Sequence, residues 1–500
     1  MSNSATHSAS KPSTLRAYRP LAIATAAALA AVCAAPAGAG VVNANGLEAA
    51  GQYDQFIVKY RSGSRARTDV ASLNAALSRA ASALPAGQPR LGLSHLRRMS
   101  LGADVIRADR GLDRVDALAL MKRIAANPDV EYVEPDLLIR TQLVPNDTRY
   151  NEQWHYANSA VGINGPSAWD NASGAGAVVA VVDSGYLSHT DLNANILPGY
   201  DFVTSVNGLG FACLLAGLPF NCGGGNDGNG RDNNATDSSN VKHGTHVAGT
   251  IAAVTNNNLG VAGVARDAKI VPVRVLGNSG VGNTSDIADG IVWASGGTVS
   301  GIPANANPAD VINLSLGGAQ PCSQTLAYRD AINAATANGS IVVVAAGNSN
   351  TDVSGFTPAS CANTITVAAS DINGNRAWYS NYGAGIDITA PGGETCSPAA
   401  EFLALGESVT GKCTQNHAER GVLSTVDANG YAFYQGTSMA APHVAGVVAL
   451  IKSVKPALNT AQVQTILSNT ARPIAAAKCP GGCGPGLIDA NAAVTAAQGP

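Results

Sequence analysis

Five short and almost wholly apolar runs between residues 160 and 500 constrain the fold of this chain more than any other feature. Runs of this length, flanked by turn residues, are typical of strands that are buried on both faces. Helical patterns lie between them, such as THVAGTIAAV and LAYRDAINAATANG. The alternation predicts a doubly wound α/β domain, with a mostly parallel sheet and helices on both faces. The runs are AVVAVVDSG (177–185), AKIVPVRVL (268–276), ADVINLSLGG (309–318), GSIVVVAAGN (339–348) and NTITVAAS (363–370).

The predicted strands end in polar residues or glycines, although only 13% of the chain is charged. Asp183 ends the first run, an SLGG strip ends the third, and Asn348 ends the fourth. Two helical segments also begin with reactive residues, because HGTHVAG carries His243 and GTSMAAPHVAG carries Ser438. Ligands of such sheets bind at the carboxyl ends of the strands. We therefore expect a functional site at this edge of the sheet.

Three of these residues can together carry nucleophilic catalysis. Serine is a weak nucleophile and needs an adjacent base. His243 can take the proton of Ser438 and return it to a leaving amine, while Asp183 holds the imidazole in the required tautomer. The chain order Asp, His, Ser is one of the known orders of such a triad. The side chain of Asn348 and the backbone N–H of Ser438 can donate to a developing oxyanion.

The stretches VVDSG, HGTHVAGT and GTSMAAPHVAG resemble, in this order, the catalytic segments of subtilisin-type serine proteases. The likeness runs from about Trp154 to GLIDANAAV (486–494). It implies a serine endopeptidase that cleaves proteins and peptides through an acyl-enzyme, without a catalytic cofactor. AAGN resembles the oxyanion segment of that family, and SLGG a strip of its substrate cleft. The small residues of the two strips indicate an open pocket that favours large apolar side chains before the cut: Ser315, Leu316, Gly317, Gly318, Ala345, Ala346 and Gly347.

Each candidate residue also has a simpler interpretation. Asp183 and Asn348 could be residues that end strands and have no catalytic role. Ser438 could be a helix N-cap. His243 and His246 could bind a metal, although no acidic ligand has the spacing of a zinc protease. Another secreted hydrolase, such as an esterase, would carry G-x-S-x-G, and GTSMA lacks the second glycine. A non-catalytic binding protein on the same fold would lack a member of the triad, and none is missing.

Residues 1–39 have the pattern of a signal peptide. Lys11, Arg16 and Arg19 precede an apolar run from Leu21 to Ala35, and small residues follow up to Ala39. The run is short for a membrane span, so a retained anchor is the less favoured alternative. We expect a secreted, extracellular protein, with or without passage through a periplasm, and no membrane contact after export. The net charge of −3 gives no reason to expect nucleic acid as a partner.

Residues 40–141 predict a small α+β domain that resembles, more weakly, the inhibitory pro-domain of the same family. Residues 41–141 have a net charge of +3, and residues 142–500 have −9. The resemblance implies a pro-domain that docks on the peptidase domain as its own inhibitor and is cut off near Arg140 to Val144, which leaves residues 142–500 as a monomeric enzyme. The patterns predict strands at 53–60, 103–107 and 130–135 and helices at 69–84 and 113–127.

Eight cysteines follow the signal peptide, an even number that indicates disulfides in an exported protein. Sequence alone leaves 105 connectivities open; we expect nearest-neighbour pairing in chain order. A zinc site is the alternative, and the spacing lacks paired C-x-x-C motifs. The cysteines are Cys213, Cys222, Cys322, Cys361, Cys396, Cys413, Cys479 and Cys483.

The resemblance also implies a structural Ca²⁺ ion in the loop VTNNNLGV (254–261), with Asp191 as a further ligand. One extra residue in this loop leaves the choice between Asn256 and Asn257 open. A second candidate is the insertion GGGNDGNGRDNNATDSS (223–239), for which a solvated polar loop is the alternative; it carries Asp227, Asp232 and Asp237. The expected ligands of the first site are Asp191, Val254, Asn257, Leu259 and Val261.

Overall fold

The structure is a computed structural model, and its described residues form two compact units divided after Leu137. The predicted signal peptide lies almost wholly outside the described residues, and so does most of the segment in which we expect the maturation cut. The described residues are 39–47, 52–82, 90–137, 144–205, 207–210, 213–214, 217, 222–225, 228–239, 241–398 and 413–499.

The first unit is an α+β fold with a five-stranded sheet in the order β1-β5-β2-β4-β3. Phe56, Val58 and Tyr60 alternate along β2 and are buried, because one face of the sheet packs on two helices. The strands are β1 (Val41–Val42), β2 (Tyr53–Tyr60), β3 (Leu93–Arg98), β4 (Ala103–Leu112) and β5 (Val130–Pro135), and the helices are α1 (Arg65–Thr68), α2 (Val70–Ser82) and α3 (Arg114–Ala125).

The second unit is built on a seven-stranded sheet in the order β12-β11-β10-β9-β6-β8-β7. Every pair of neighbouring strands in it is parallel. The doubly wound α/β fold predicted from the sequence is therefore confirmed. The strands are β6 (Val178–Asp183), β7 (Tyr200–Asp201), β8 (Lys269–Arg274), β9 (Val311–Leu314), β10 (Ile341–Ala345), β11 (Thr364–Ser370) and β12 (Ile388–Pro391).

Two hydrophobic cores lie on the two faces of this sheet. Along β6, Val179 and Val181 belong to one core, while Ala180 and Val182 belong to the other. Successive side chains of a strand point to opposite faces, so a strand buried on both sides reads as one apolar run. The helices of the second unit are α4 (Trp154–Ala157), α5 (Gly165–Trp169), α6 (His243–Ala252), α7 (Thr284–Ala294), α8 (Leu326–Ala337), α9 (Thr437–Val454), α10 (Thr460–Thr470) and α11 (Ala490–Gln498).

Helix α9 crosses the centre of the larger core. It contacts α6, α11 and strands β9 to β12. By length and hydropathy alone it could span a membrane, but 83% of that segment is buried within the fold. Its all-round apolar surface has the pattern of a helix that is enclosed by other elements.

Two small antiparallel pairs and three disulfides complete the described part of the second unit. The pairs are β13 (Cys396–Pro398) with β14 (Cys413–Asn416), and β15 (Val422–Thr425) with β16 (Tyr431–Tyr434). Cys396 is also disulfide-bonded, whereas the side chain of Cys413 lies outside the described residues. The three disulfides follow the nearest-neighbour expectation: Cys213–Cys222, Cys322–Cys361 and Cys479–Cys483.

Candidate active site

Three elements bring the candidate catalytic residues to the carboxyl edge of the seven-stranded sheet. Asp183 is the last residue of β6, His243 is the first residue of α6, and Ser438 is the second residue of α9. The Asp183 side chain is completely buried, while the His243 side chain keeps 23% of its exposure. The fold thus places a buried carboxylate behind a histidine that opens to solvent.

The ring of His243 is oriented by Asp183. Its Nδ1 lies 2.9 Å from both carboxylate oxygens of Asp183. With Nδ1–H donating to this carboxylate, Nε2 is left free to accept a proton. Burial lowers the pKa of His243, but the charge of Asp183 and its hydrogen bond outweigh burial, so the pKa is raised above its usual value. The backbone N–H of Ser184 donates to Asp183 Oδ1 at 2.7 Å and steadies the carboxylate.

Ser438 lies in the first turn of α9, two residues after a glycine of unusual backbone conformation. Gly436 has a φ of +145°, which favours glycine. Gly436 is also the N-cap of α9 and Ser438 is already helical, so the N-cap interpretation of Ser438 is wrong. Ser438 Oγ donates to the carbonyl of Ser315 at 3.2 Å. No hydrogen bond joins it to His243 in the described part of the chain, as is common before a substrate is bound.

The amide of Asn348 is fixed by Thr437, the residue before the candidate nucleophile. Asn348 Oδ1 accepts from the backbone N–H of Thr437 at 2.8 Å and from its hydroxyl at 2.9 Å. Because the oxygen is occupied, the Asn348 NH₂ group is left to donate elsewhere. Sequence reasoning missed this role of Thr437, since the two residues are 89 positions apart.

Tyr379 is a second supporting residue that sequence reasoning missed. Its hydroxyl donates to the carbonyl of Gly393 at 2.6 Å and accepts from the backbone N–H of Gly436 at 2.9 Å. The side chain is buried in the larger core. This bridge fixes the backbone just before Ser438. No local pattern in the sequence signals it, because the contact depends on how two distant loops meet.

A cleft of about 690 Å³ opens beside these residues, and it includes His243, Asn348 and Ser438. The predicted strip Ser315 to Gly318 lines it as well. The side chains of Ala345 and Ala346, at and just after the end of β10, belong to the two hydrophobic cores. The expected part of Ala345, Ala346 and Gly347 in substrate binding stays a prediction. Sequence reasoning missed these lining residues: Leu276, Val281, Ile287, Tyr328 and Thr357.

The other two histidines of the catalytic helices serve packing. His246 Nε2–H donates to the carbonyls of Val422 and Ala432 at 3.0 and 3.1 Å, and its ring stacks on Tyr434. His443 Nδ1–H donates to the carbonyl of Met439 at 2.7 Å. Within the described ranges, no three His, Cys, Asp or Glu side chains are grouped so as to hold a metal ion. The contacts of His246 and His443 are thus with backbone carbonyls and neighbouring rings.

The loop predicted to bind calcium is tied to Asp191, as expected, but through hydrogen-bond donors. Asp191 accepts from Asn257 Nδ2 at 2.7 Å, from the backbone N–H of Val261 at 2.9 Å and from the hydroxyl of Tyr431 at 3.2 Å. Asn257 Oδ1 accepts from the backbone N–H of Leu259. It is therefore the side chain of Asn257 that reaches Asp191, with its NH₂ group and not its oxygen.

Asp147 is a second buried carboxylate that contacts this loop, although it lies far from the loop in sequence. It was not predicted from the sequence. One oxygen accepts from the backbone N–H of Asn256 at 2.9 Å, whereas Asp147 Oδ1 is buried without a hydrogen-bond partner. Burial raises the pKa of Asp147, and burial raises that of Asp191 to about 6, with a further contribution from the charge of Asp147. The negative charge of Asp147 therefore adds to the cost of charging Asp191, a cost that a positive ion beside the two carboxylates would relieve.

In the insertion at 223–239, the carboxylates of the described aspartates are engaged by hydrogen-bond donors. Asp227 lies outside the described residues. Asp237 is buried and accepts from the hydroxyl of Ser184 and the backbone N–H of Ser239. Asp232 accepts from the side chain of Asn229 and the backbone N–H of Asn234. Asp237 thus supports the strand end at Asp183, and nothing in the described part of this insertion gathers the three predicted aspartates.

A doubly wound sheet with Asp183, His243 and Ser438 along one cleft has the architecture of a serine endopeptidase. A family model described as Subtilase family matches residues 174–492. The chain belongs to the subtilase family of serine proteases. This membership confirms the predicted enzyme class and decides against the esterase alternative.

Relatives with established names agree with this assignment. The chain is 50% identical over 482 residues to an extracellular protease of Xanthomonas campestris pv. campestris, with 93% of this chain and 76% of that protein covered. It is 38% identical over 510 residues to an extracellular basic protease of Dichelobacter nodosus, with 97% and 78% covered. A solved protease structure from Pseudoalteromonas arctica PAMC 21717 is 49% identical with a TM-score of 0.61, and the match covers 71% of this chain and all of that one.

Proposed function

We propose that this chain is a secreted serine endopeptidase that uses Asp183, His243 and Ser438 as its catalytic triad. The observation that carries the proposal is the double contact of His243 Nδ1 with Asp183, beside Ser438 in one cleft. A rotation of the Ser438 side chain would move its hydroxyl from the Ser315 carbonyl to His243 Nε2. His243 then takes the proton as Ser438 Oγ attacks the peptide carbonyl, and returns it to the leaving amine.

The tetrahedral intermediate carries a negative oxygen that needs donors. The Asn348 NH₂ group and the backbone N–H of Ser438 are the two donors that we assign to it. Ser438 is in the first turn of α9, whose N–H groups lack partners within the helix. The positive end of the helix dipole favours the same charge. Water then attacks the acyl-enzyme by the reverse sequence, with His243 again as base and then acid.

The enzyme is proposed to be made as a precursor. Residues 1–39 would be removed on export, and residues 40–141 would act as the inhibitory pro-domain of the peptidase domain, 142–500. The names of the relatives, which call them extracellular, support secretion. The compact α+β unit that ends at Leu137 supports a separable pro-domain. The opposite net charges of the two parts would favour their docking.

A structural Ca²⁺ ion is proposed for the loop at 254–261, with the carboxylates of Asp147 and Asp191 as its ligands. The unpartnered Oδ1 of Asp147 is the observation that favours it. Calcium prefers hard oxygen ligands such as these carboxylates. When bound, the ion would supply positive charge that stabilises the fold, and it would take no part in peptide cleavage.

Replacement of Ser438 with alanine tests the proposed function. Wild-type protein should appear in the medium without residues 40–141 and should cleave casein. Ser438→Ala should accumulate as an uncut precursor without activity, because the variant cannot form the acyl-enzyme that releases the pro-domain. Masses of the secreted protein and casein cleavage are the measurements. A pure Ser438→Ala protein that still matures would refute self-processing, and one that still cleaves casein would refute the triad.

A further inference from the structure

A pocket of about 420 Å³ lies within the first unit and is lined by residues of helices α2 and α3. Part of its wall is apolar, since Leu77 and Ile124 belong to the core of this unit and Ala80 packs against that core. Among the described residues that line it, none is an aspartate or a glutamate. Its polar side chains can all donate hydrogen bonds, and they are Tyr60, Arg79, Arg123 and Asn127.

The guanidinium group of Arg123 gives the strongest evidence for a ligand. Its Nη1 atom is buried and has no hydrogen-bond partner in the described part of the chain. Arg123 lies in the last turn of α3, whose negative end favours a cation, yet none of the described carbonyls accepts from Nη1. A buried charged donor without an acceptor is unfavourable, because it has lost its water and gained no partner. An acceptor bound in the pocket would remove this cost.

The other polar side chains of the pocket are also suited to donate. The side-chain oxygen of Asn127 accepts from the backbone N–H of Asp129 at 3.0 Å, so the NH₂ group is left to donate. Burial raises the pKa of Tyr60 to about 12, with a further contribution from the charge of Asp104, so the hydroxyl keeps its proton. Arg79, exposed on α2, brings the second positive charge.

Two carboxylates lie near this pocket without lining it. Asp104 is paired with Arg98, whose Nε lies 2.9 Å from its Oδ1. Asp129 accepts from the hydroxyl of Ser64 at 3.3 Å and lines a neighbouring pocket together with Arg79. Since Asp104 is already paired, Asp129 can balance at most one of the two arginine charges of the pocket. The remaining positive charge is suited to one anion.

We propose that this pocket binds an amphiphilic carboxylate, such as the anion of a fatty acid. The planar guanidinium groups of Arg79 and Arg123 match the geometry of a carboxylate head. A phosphate would match them as well, but the apolar part of the wall favours a ligand that also carries an apolar chain. The inference does not depend on the proposed protease function, because the pocket lies wholly within the first unit. By mass action, a bound ligand would stabilise this unit.

Calorimetric titration of the full chain with octanoate tests the proposal. The variant Ser438→Ala is used so that the first unit stays attached, and the mass of the protein shows that it does. If this variant is cut, the wild-type chain purified with protease inhibitors takes its place. Octanoate should bind saturably at one site per chain. Octylamine, which has the same chain and the opposite charge, and inorganic phosphate, which has no chain, should bind about tenfold more weakly or less.

Variants of the two arginines identify the site. Arg123→Gln and Arg79→Gln should each weaken octanoate binding about tenfold or more, since each removes a charge-assisted hydrogen bond. Lys122→Gln is the matched control, because it removes the same charge from an exposed neighbour of Arg123 that does not line the pocket; its affinity should equal that of the parent chain. Circular dichroism shows which variants are folded. Should Arg123→Gln fail to fold, Arg79→Gln at its exposed position still tests the site.

Three results would overturn the proposal. The first is the absence of saturable octanoate binding. The second is binding of octylamine or phosphate as tight as that of octanoate, since the site would then select only the chain or only the charge. The third is an affinity for octanoate that stays the same in the folded arginine variants, which would place the ligand elsewhere. None of these results bears on the catalytic triad, which casein cleavage tests separately.

Discussion

At the scale of single residues, the site depends on groups that hold the reactive atoms in position as much as on the reactive atoms themselves. Thr437 is the clearest case, because it donates twice to Asn348 and so decides which end of that amide faces the cleft. Loss of such an oxyanion donor lowers kcat by about 10²- to 10³-fold in subtilisin itself, a member of this family. A residue that only aims the donor should have a smaller effect of the same kind.

Thr437→Val should lower kcat about fivefold to tenfold with little change in KM. The substitution removes the hydroxyl that donates to Asn348 and accepts from the backbone N–H of Gly347, each bond worth about 1 kcal/mol, and it keeps the backbone bond to Asn348. Steady-state kinetics on one p-nitroanilide would measure it. Thr437→Ser keeps the hydroxyl and should stay near wild type. A change in KM alone would show that Thr437 acts on substrate binding and not on the oxyanion.

The raised pKa of His243 gives a prediction for pH dependence. His243 must be neutral to act as a base, so activity falls as pH drops through its pKa. Because Asp183 raises this pKa above the usual value of 6.5, the acid limb of kcat/KM should have its midpoint above pH 6.5. Asp183→Asn should lower kcat by about 10⁴-fold, since the wrong tautomer is then favoured. An acid midpoint well below 6.5 in the wild type would contradict the assigned pair.

At the scale of elements, the loop 254–261 is held by two carboxylates whose burial is unfavourable when they are charged. Added Ca²⁺ should raise the melting temperature at pH 8, and a chelator should lower it. The effect should shrink as pH falls below 6, because Asp191, with a pKa of about 6, then binds protons instead. The folded-state pKa is raised here, so without metal these groups cost stability at high pH and cost less as pH falls.

The substitution Asp147→Asn tests whether the carboxylate of Asp147 is a calcium ligand at this loop. It removes one charge and keeps an oxygen for the N–H of Asn256, so the melting temperature without calcium should rise and the response to calcium should be largely lost. Asp232→Asn, in the other polar insertion, is the control and should keep the wild-type response. Thermal unfolding monitored by circular dichroism is sufficient. A calcium response that survives in Asp147→Asn would place the ion elsewhere.

The sequence predicted the elements well where burial alone decides them. All five apolar runs contain strands of the parallel sheet. A strand that is buried on both faces is apolar along its whole length, so its own sequence is enough to predict it. The strand β3, Leu93–Arg98, was not predicted, because it is a largely exposed edge strand with charged residues. The short strands β7 and β12 were missed as well. With only two and four residues, these strands are too short to show a hydrophobic periodicity. They are strands because they form hydrogen bonds with a longer neighbouring strand.

Site residues divide in the same way. Asp183, His243, Asn348 and Ser438 could be named as candidates because each stands at a predicted strand end or helix start. Tyr379 was not found, because its position beside the site does not show in any local pattern. Its hydroxyl meets Gly393 and Gly436 only when distant loops come together. Positions of this kind depend on loop geometry that periodicity does not encode.

At the scale of the whole molecule, one sheet separates two cores and presents a single functional edge. The larger core encloses α9 and receives α6, so both helices that carry reactive residues are anchored on the same side. The first unit has a core of its own and needs no residue of the second to bury it. A core of its own is typical of a domain that can fold independently.

The place of α9 in the chain has a consequence for the timing of activity. Every strand of the seven-stranded sheet precedes Ser438 along the chain. During synthesis or export the nucleophile therefore arrives only after the residues of the whole sheet have been delivered. A chain that is interrupted earlier holds Asp183 and His243 but lacks the candidate nucleophile. Under the proposed mechanism, an unfinished copy of the chain would therefore be unable to cleave peptides.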